Sequence, residues 1–356
     1  WLVLLLGIIT ACFADITVYA AEPWQQLRLL LKGFITPAIY NGIDWRDAMI
    51  ATLSFALLGV SFGAFGGFLL SLVFQVRFVR GLCAIFRAIH ELFWALIFIQ
   101  IFGLSALTGV LAIAVPFACI FARVFHDIYQ HAEIKPSHCF QEKHQGNFSQ
   151  FIYLLMPQVW PQMKDYIGYR LECAIRTSTV LGFVGLPTLG FYLETAFKQA
   201  NYSESAALIF SLLALISSIK YWFRVKFLPL YVLIAWYFLP QTDISVSLTN
   251  VIRFFGEDIW PQLSISTDSS SAWMKSWQHF VAYIQWANQE MLSQGWQGIA
   301  QTLSLTAMAV SLTWLTTVLI MPWLTNSMHS RILSTGNKLV LLVMRSIPEY
   351  ILAFVL

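Results

Sequence analysis

Nine apolar stretches, at roughly 1–20, 47–74, 85–103, 106–130, 160–185, 204–222, 226–240, 297–323 and 341–356, carry too few charges to sit at a water-facing surface. Lipid gives backbone groups no hydrogen-bond partners, so a segment crossing about 30 Å of hydrocarbon satisfies them internally, as a helix of about 20 residues. The whole chain agrees: 58% of residues are hydrophobic, 11% are charged and the mean hydropathy is +0.68. Soluble domains hold about a quarter charged residues. The expected fold class is therefore all-α and polytopic, with about nine transmembrane helices. The first stretch lacks a basic leading region and a small-x-small cleavage site before Pro23, so it reads as a retained helix rather than a signal peptide. The chain starts at Trp1 and its last stretch runs into Leu356, which reads as a fragment of a longer protein.

Orientation follows from Lys and Arg, which gather in cytoplasmic connections. Alternate connections hold Arg77, Arg80 and Arg87, then Arg123, Lys135, Lys143, Lys164 and Arg170, then Lys220, Arg224 and Lys226, then Arg331, Lys338 and Arg345. These are expected inside, with the amino terminus inside as well. The segment 241–296 carries Asp243, Glu257, Asp258, Asp268 and Glu290 against Arg253 and Lys275, and is expected outside. The net charge of +3 is thus mostly a topology signal, and no basic, aromatic patch argues for nucleic acid. The cysteines Cys12, Cys83, Cys119, Cys139 and Cys173 form no CxxC pair and imply no disulfide framework.

The chain repeats itself. Thr52-Leu53-Ser54 opens one span and Thr302-Leu303-Ser304 opens another, displaced by 250 residues; Arg87-Ala88-Ile89-His90-Glu91 matches Arg345-Ser346-Ile347-Pro348-Glu349, displaced by 258. A longer cytoplasmic loop in the second copy accounts for the difference. Leu228 to Pro240 then corresponds to the first helix, and Leu27 to Pro37 resembles Asn250 to Pro261 as interfacial amphipathic stretches. This predicts a first copy over 1–222 with six helices and the start of a second over 223–356, containing the outside loop 241–296. Six helices per copy leave both copies facing the same way, a parallel repeat with a route between two halves. Such an arrangement favours transport over a scaffold.

Polar residues inside spans usually face the bundle interior or a water-filled cavity. Glu91 and Glu349 each follow an arginine, Arg87 and Arg345, by four residues, which suits either an ion pair at the helix base or a functional motif. His90 stands where the other copy has Pro348, and a proton relay there is an open alternative. Glu172 and Arg176 share the same spacing and are followed by Thr177, Ser178 and Thr179, either as an intrahelical pair or as the lining of an anion route. Gly182-Phe183-Val184-Gly185-Leu186-Pro187-Thr188-Leu189-Gly190 breaks the helix with three glycines and a proline, which membrane depth tolerates only beside protein or a cavity. Close helix packing by glycine is the alternative. His126, His131, His138, Cys139 and His144 fit no standard zinc spacing, so no metal is expected.

A family resemblance then becomes specific. Thr52 to Phe74, Arg87 to Phe98, Phe102-Gly103-Leu104-Ser105, Leu155-Met156-Pro157-Gln158-Val159-Trp160-Pro161-Gln162, Tyr169-Arg170-Leu171-Glu172 and Arg176 to Gly185 together resemble the permease subunit of phosphonate-type ATP-binding-cassette importers. The likeness covers nearly all of the first copy and resumes in 297–356, so the chain resembles two such permeases fused in tandem. The resemblance implies the binding-protein-dependent importer permease fold in the cytoplasmic membrane. It also implies a cytoplasmic ATPase dimer and a periplasmic or extracellular solute-binding protein as partners.

Permeases of that family dock the ATPase through a cytoplasmic Glu-Ala-Ala…Gly…Leu-Pro loop. Mapped here, the loop falls in 131–164 and ends at Pro157 and Gln158. His138-Cys139-Phe140 stand in place of Glu-Ala-Ala, and the glycine position falls on His144, or on Gly146 if two residues are deleted. The family's glycine-rich run is altered to Leu186-Pro187-Thr188-Leu189. No G-x-x-x-x-G-K-[ST] loop is present, so ATP hydrolysis is expected from a partner and the chain itself is expected to be no enzyme and to hold no cofactor. Arg176 and the neighbouring hydroxyls suit a small oxyanion such as phosphonate, phosphate or phosphite. A secondary transporter and a non-transporting scaffold are the alternatives.

Overall fold

A computed structural model describes residues 23–39, 44–132, 151–240, 248–259 and 272–324, together with Gly7, Thr10 and Gly336. The expected spans 1–20 and 341–356, the docking positions His138, Cys139, Phe140, His144 and Gly146, and the motif Arg345, Pro348 and Glu349 lie outside these residues, apart from Gly7 and Thr10, which are helical. Every described element is helical: α1 Pro23–Ile35, α2 Trp45–Leu72, α3 Arg77–Ala88, α4 Glu91–Phe102, α5 Ala106–His131, α6 Met156–Val180, α7 Leu189–Lys198, α8 Tyr202–Trp222, α9 Leu228–Tyr237, α10 Leu248–Arg253, α11 Ala272–Glu290 and α12 Trp296–Leu324. The fold class is all-α and polytopic, as the apolar stretches require.

Residues 25–251 form one compact unit. Its centre is the α2–α5 pair, which packs tightly because Gly59, Gly63 and Gly67 recur every four residues on α2 and face Ile113, Phe117 and Phe121 of α5. Small residues at this spacing let helix backbones approach, which substitutes for the hydrophobic drive that lipid removes. Phe55, Leu58, Phe121, Met163, Leu171 and Ile175 fill the core around this pair. At 28 and 26 residues, α2 and α5 are long enough to cross hydrocarbon, as is α8 with 21.

In the other unit, α11 continues through one π-helical turn at Met291–Gly295 into α12, and Trp277–Pro322 is long and apolar enough to cross. Gly7 packs against Ser311, where a Cβ would overlap the serine side chain.

Three expectations change. The apolar stretch 85–103 is two helices, α3 and α4, bent by 95° at Ile89 and His90, both of which have extended backbone. The reason is that 77–88 carries Arg77, Arg80 and Arg87 and is amphipathic, while continuous apolar character begins only after Glu91. Next, α9 has ten residues, short of a span by itself. The described residues thus hold four helices able to cross, or six if the bent pairs α3–α4 and α6–α7 each count as one, against the expected nine over the full chain. Finally, Lys164 and Arg170 belong to α6 rather than to a connection. Pro157 follows a π-helical turn at Phe151–Leu155 that runs directly into that helix.

Candidate functional site

The break after α6 is built by its glycines. A 3-10 turn at Leu181–Val184 ends at Gly185, whose φ of +93° is the left-handed conformation that closes helices. Gly185 N–H donates to the Gly182 carbonyl at 2.9 Å and Leu186 N–H to the Leu181 carbonyl at 3.2 Å, the two bonds of a Schellman closure. Pro187 then prevents the helix from resuming, and α7 sets off from Leu189 at 57° to α6. The chain folds back so closely that a Cβ on Gly182 would overlap the backbone of Gly190 and Phe191, and one on Gly190 would overlap the Thr179 carbonyl.

Thr52 holds this break to α2. Its hydroxyl donates to the Ala48 carbonyl at 2.7 Å and accepts the N–H of Leu189 at 2.9 Å, fully buried. It therefore supplies the α7 N-terminus with a partner that Thr188, the residue at the cap position, does not provide. The sequence marked Thr52 as the start of a repeat; its contact with the glycine break, 137 residues away, is a product of the tertiary fold. Thr52→Val is expected to leave a buried N–H unpaired and cost about 1–3 kcal/mol, whereas Thr52→Ser keeps the bond. Thermal unfolding of the purified protein checks the pair: equal melting temperatures for wild type and Thr52→Val would contradict the role.

The remaining pathway candidates fall into two groups. Ser178 and Thr179 are buried and donate to the carbonyls of Ile175 and Arg176 on their own helix, and Arg176 and Thr177 are half-buried beside them. The Thr188 Oγ1 in the break is buried without a hydrogen-bond partner among the described residues. Glu172 lies ten residues before Gly182, ~15 Å along the helix. It lines a cavity of about 610 Å³ with Lys164, Asp165, Lys220, Arg224 and Lys226. Two connections expected on the inside are thereby brought to one face. A second cavity, of about 440 Å³, does the same for Arg80, Arg87 and Arg123.

Arg87 and Glu91 do not share a helix, so the expected ion pair at a helix base gives way to a helix start. Arg87 ends α3, while the His90 Nδ1 accepts the Leu92 N–H at 3.2 Å as the N-cap of α4. Glu91 sits in the first turn, where a carboxylate complements the helix dipole, 3.7 Å from His90 Nε2. Among the described residues no group of three or more His, Cys, Asp or Glu side chains could hold a metal.

Arg170 lies inside the bundle, with its guanidinium carbon 4.9 Å from the Phe117 ring centre on α5 and 5.8 Å from that of Tyr166 on α6. A cation held over aromatic faces within the bundle is a costly feature of the kind that marks function in membrane proteins. The signal was the i,i+4 spacing of Tyr166 and Arg170 within a stretch that the sequence already marks as helical.

No protein-family model matches the chain, and no solved structure matches it significantly. Known transport proteins do. A phosphite transport system permease protein of Stutzerimonas stutzeri is 28% identical over 199 residues, 52% of this chain and 72% of that protein. A phosphate-import permease protein of Mycolicibacterium smegmatis is 26% identical over 200 residues, 54% of this chain and 38% of that protein. A putative cryptic phosphonate transport system permease protein of Escherichia coli is 28% identical over 76 residues, 21% of this chain and 62% of that protein. The chain is homologous to permease subunits of ABC importers: over about half its length to those named for phosphite and phosphate, and over about a fifth to one named for phosphonate.

Proposed function

We propose that this chain is the membrane-spanning permease of an ATP-driven importer for a small phosphorus oxyanion: phosphonate, phosphate or phosphite. The similarity over half the chain to permeases named for phosphite and phosphate transport, with a shorter match to one named for phosphonate, carries this reading. The break from Gly182 to Gly190, with Arg176, Thr177 and Ser178, borders the route, and the unpartnered Thr188 hydroxyl supports a polar function there. Glu172 contributes from the inner side, close to the basic cavity wall.

The segment 131–164 docks a cytoplasmic ATPase, which supplies the hydrolysis, and an external solute-binding protein delivers the anion. The protein resides in the cytoplasmic membrane with the basic connections inside. A first copy over 1–222 and a second that starts within 223–356, facing the same way, replace the usual pair of permease subunits. One observation supports the duplication. About 200 matched residues make up 72% of one relative but 38% of another, which is therefore about twice as long.

Docking through 131–164 predicts that the purified chain retains an ATPase bearing a phosphate-binding loop. Reversing charge in the loop, with Glu142→Lys and Lys143→Glu, is expected to abolish the stimulation of ATP hydrolysis by the membrane part. Unchanged stimulation and unchanged uptake in reconstituted liposomes would remove the docking assignment.

A further inference from the structure

The cavity between α3 and α5 lies outside the break and is not used by the transport reading. Arg80 and Arg87 enter it from α3, and Arg123 enters it from α5. Asp127 is the carboxylate in its lining and sits 3.6 Å from Arg123. Among the described residues Arg80 and Arg87 have no carboxylate partner. Three arginines against one aspartate leave the lining two positive charges in excess. The floor is dry: Phe74, Cys83 and Cys119 are each at most 5% exposed. Such a floor strengthens electrostatic attraction above it.

We propose that Arg80, Arg87 and Arg123 form a binding site for a phosphate-type oxyanion on the face where the basic connections gather. Each guanidinium offers a planar fork of donors that matches paired phosphate oxygens, and three forks from two helices suit a tetrahedral anion of up to two charges better than a single planar carboxylate. A phosphate group could come from a dissolved anion or from a lipid headgroup. The geometry of α3 favours the dissolved anion. Its exposed apolar side chains Phe78, Leu82 and Ile85 lie two residues from Arg80 or Arg87, and two residues are ~200° around a helix. The exposed apolar side of α3 is thus turned away from the arginines, the pattern of a helix that lies in an interface with its basic face to water.

The site needs no partner protein or ATP, so it can be tested apart from transport, and a failure of uptake leaves it standing. The full chain in nanodiscs of neutral phosphatidylcholine would be titrated with inorganic phosphate, following the melting temperature and equilibrium dialysis of labelled phosphate. Chloride and sulfate at matched ionic strength serve as comparisons. The wild type should bind phosphate, Arg80→Gln with Arg87→Gln should weaken binding about tenfold or more, and Arg80→Lys with Arg87→Lys should weaken it less. Arg28→Gln, on the exposed helix α1, should change nothing. Because Arg80 and Arg87 are exposed, the glutamine pair is expected to melt normally without phosphate. Equal phosphate binding by wild type and the glutamine pair would overturn the proposal. So would no binding by wild type, an equal response to chloride, or stabilisation that appears only when anionic lipid is added without phosphate.

Discussion

Gly190→Ala is expected to open the break and lower stability, although it adds a single methyl group. The new Cβ would overlap the Thr179 carbonyl oxygen, which is backbone and cannot turn aside as a side chain can. Relief requires α6 and α7 to separate, and forced overpacking of this kind costs about 1–3 kcal/mol or more. Separation also strains the Leu189–Thr52 bond, adding the cost of a buried unpaired N–H. Gly185→Ala provides the contrast. Nothing lies closer than 3.6 Å to its Cβ position, so its penalty is the left-handed backbone alone, about 1–2 kcal/mol. Thermal unfolding should therefore rank the variants wild type, Gly185→Ala, Gly190→Ala, in falling order. A wild-type melting temperature for Gly190→Ala would contradict the close approach of the two helices.

The second large effect is a change of sign between neighbours on α2. At Gly67 a Cβ would meet the Phe121 Cβ, the Ala118 carbonyl at 2.8 Å and the Ala122 nitrogen at 3.1 Å. Gly67→Ala must push α5 away from α2 along the seam that centres the unit, and a loss of about 1–3 kcal/mol is expected. One residue earlier, a Cβ on Gly66 would have the Ala118 Cβ at 3.5 Å as its nearest neighbour, an ordinary contact. Gly66→Ala should therefore be neutral or stabilise by up to about 1 kcal/mol through helix propensity. Paired unfolding measurements decide it, and equal losses for the two variants would contradict the assigned packing face.

The elements differ in how legible they were. α2, α5, α8 and α12 follow from length and apolarity, because lipid leaves the backbone no other arrangement. The end of α6 was equally readable, since Gly185 and Pro187 are helix-closing residues whatever surrounds them. The 89–90 bend is not evident from apolarity, although the sequence carries its sign: the similar motif at 345–349 has Pro348 where His90 stands, and a proline there marks a helix start rather than a helix interior. The arginine spacing in 77–88 was read as a connection when it was also the basic face of an amphipathic helix. The Gly59, Gly63, Gly67 series was present at spacing four and was not used. Thr52 against Leu189 and Arg170 against Phe117 depend on how distant segments pack, and no local pattern encodes that.

For the site itself, the sequence singled out Gly182, Gly185 and Gly190, and the structure brings Gly182 and Gly190 into one close contact. Glu172 was grouped with them by its spacing to Arg176, but helical rise carries it to the basic cavity instead. The docking positions from His138 to Gly146 rest on the resemblance and lie outside the described residues.

The central claim is ATP-driven import of a phosphorus oxyanion. Its most direct test is uptake into proteoliposomes holding this chain with its ATPase and solute-binding protein, offered phosphite, phosphonate and phosphate beside non-phosphorus solutes. Uptake of at least one phosphorus oxyanion that requires ATP and survives a proton ionophore is the expected result. Uptake that collapses with the proton gradient while ATP remains, or transport confined to the non-phosphorus solutes, would contradict the account.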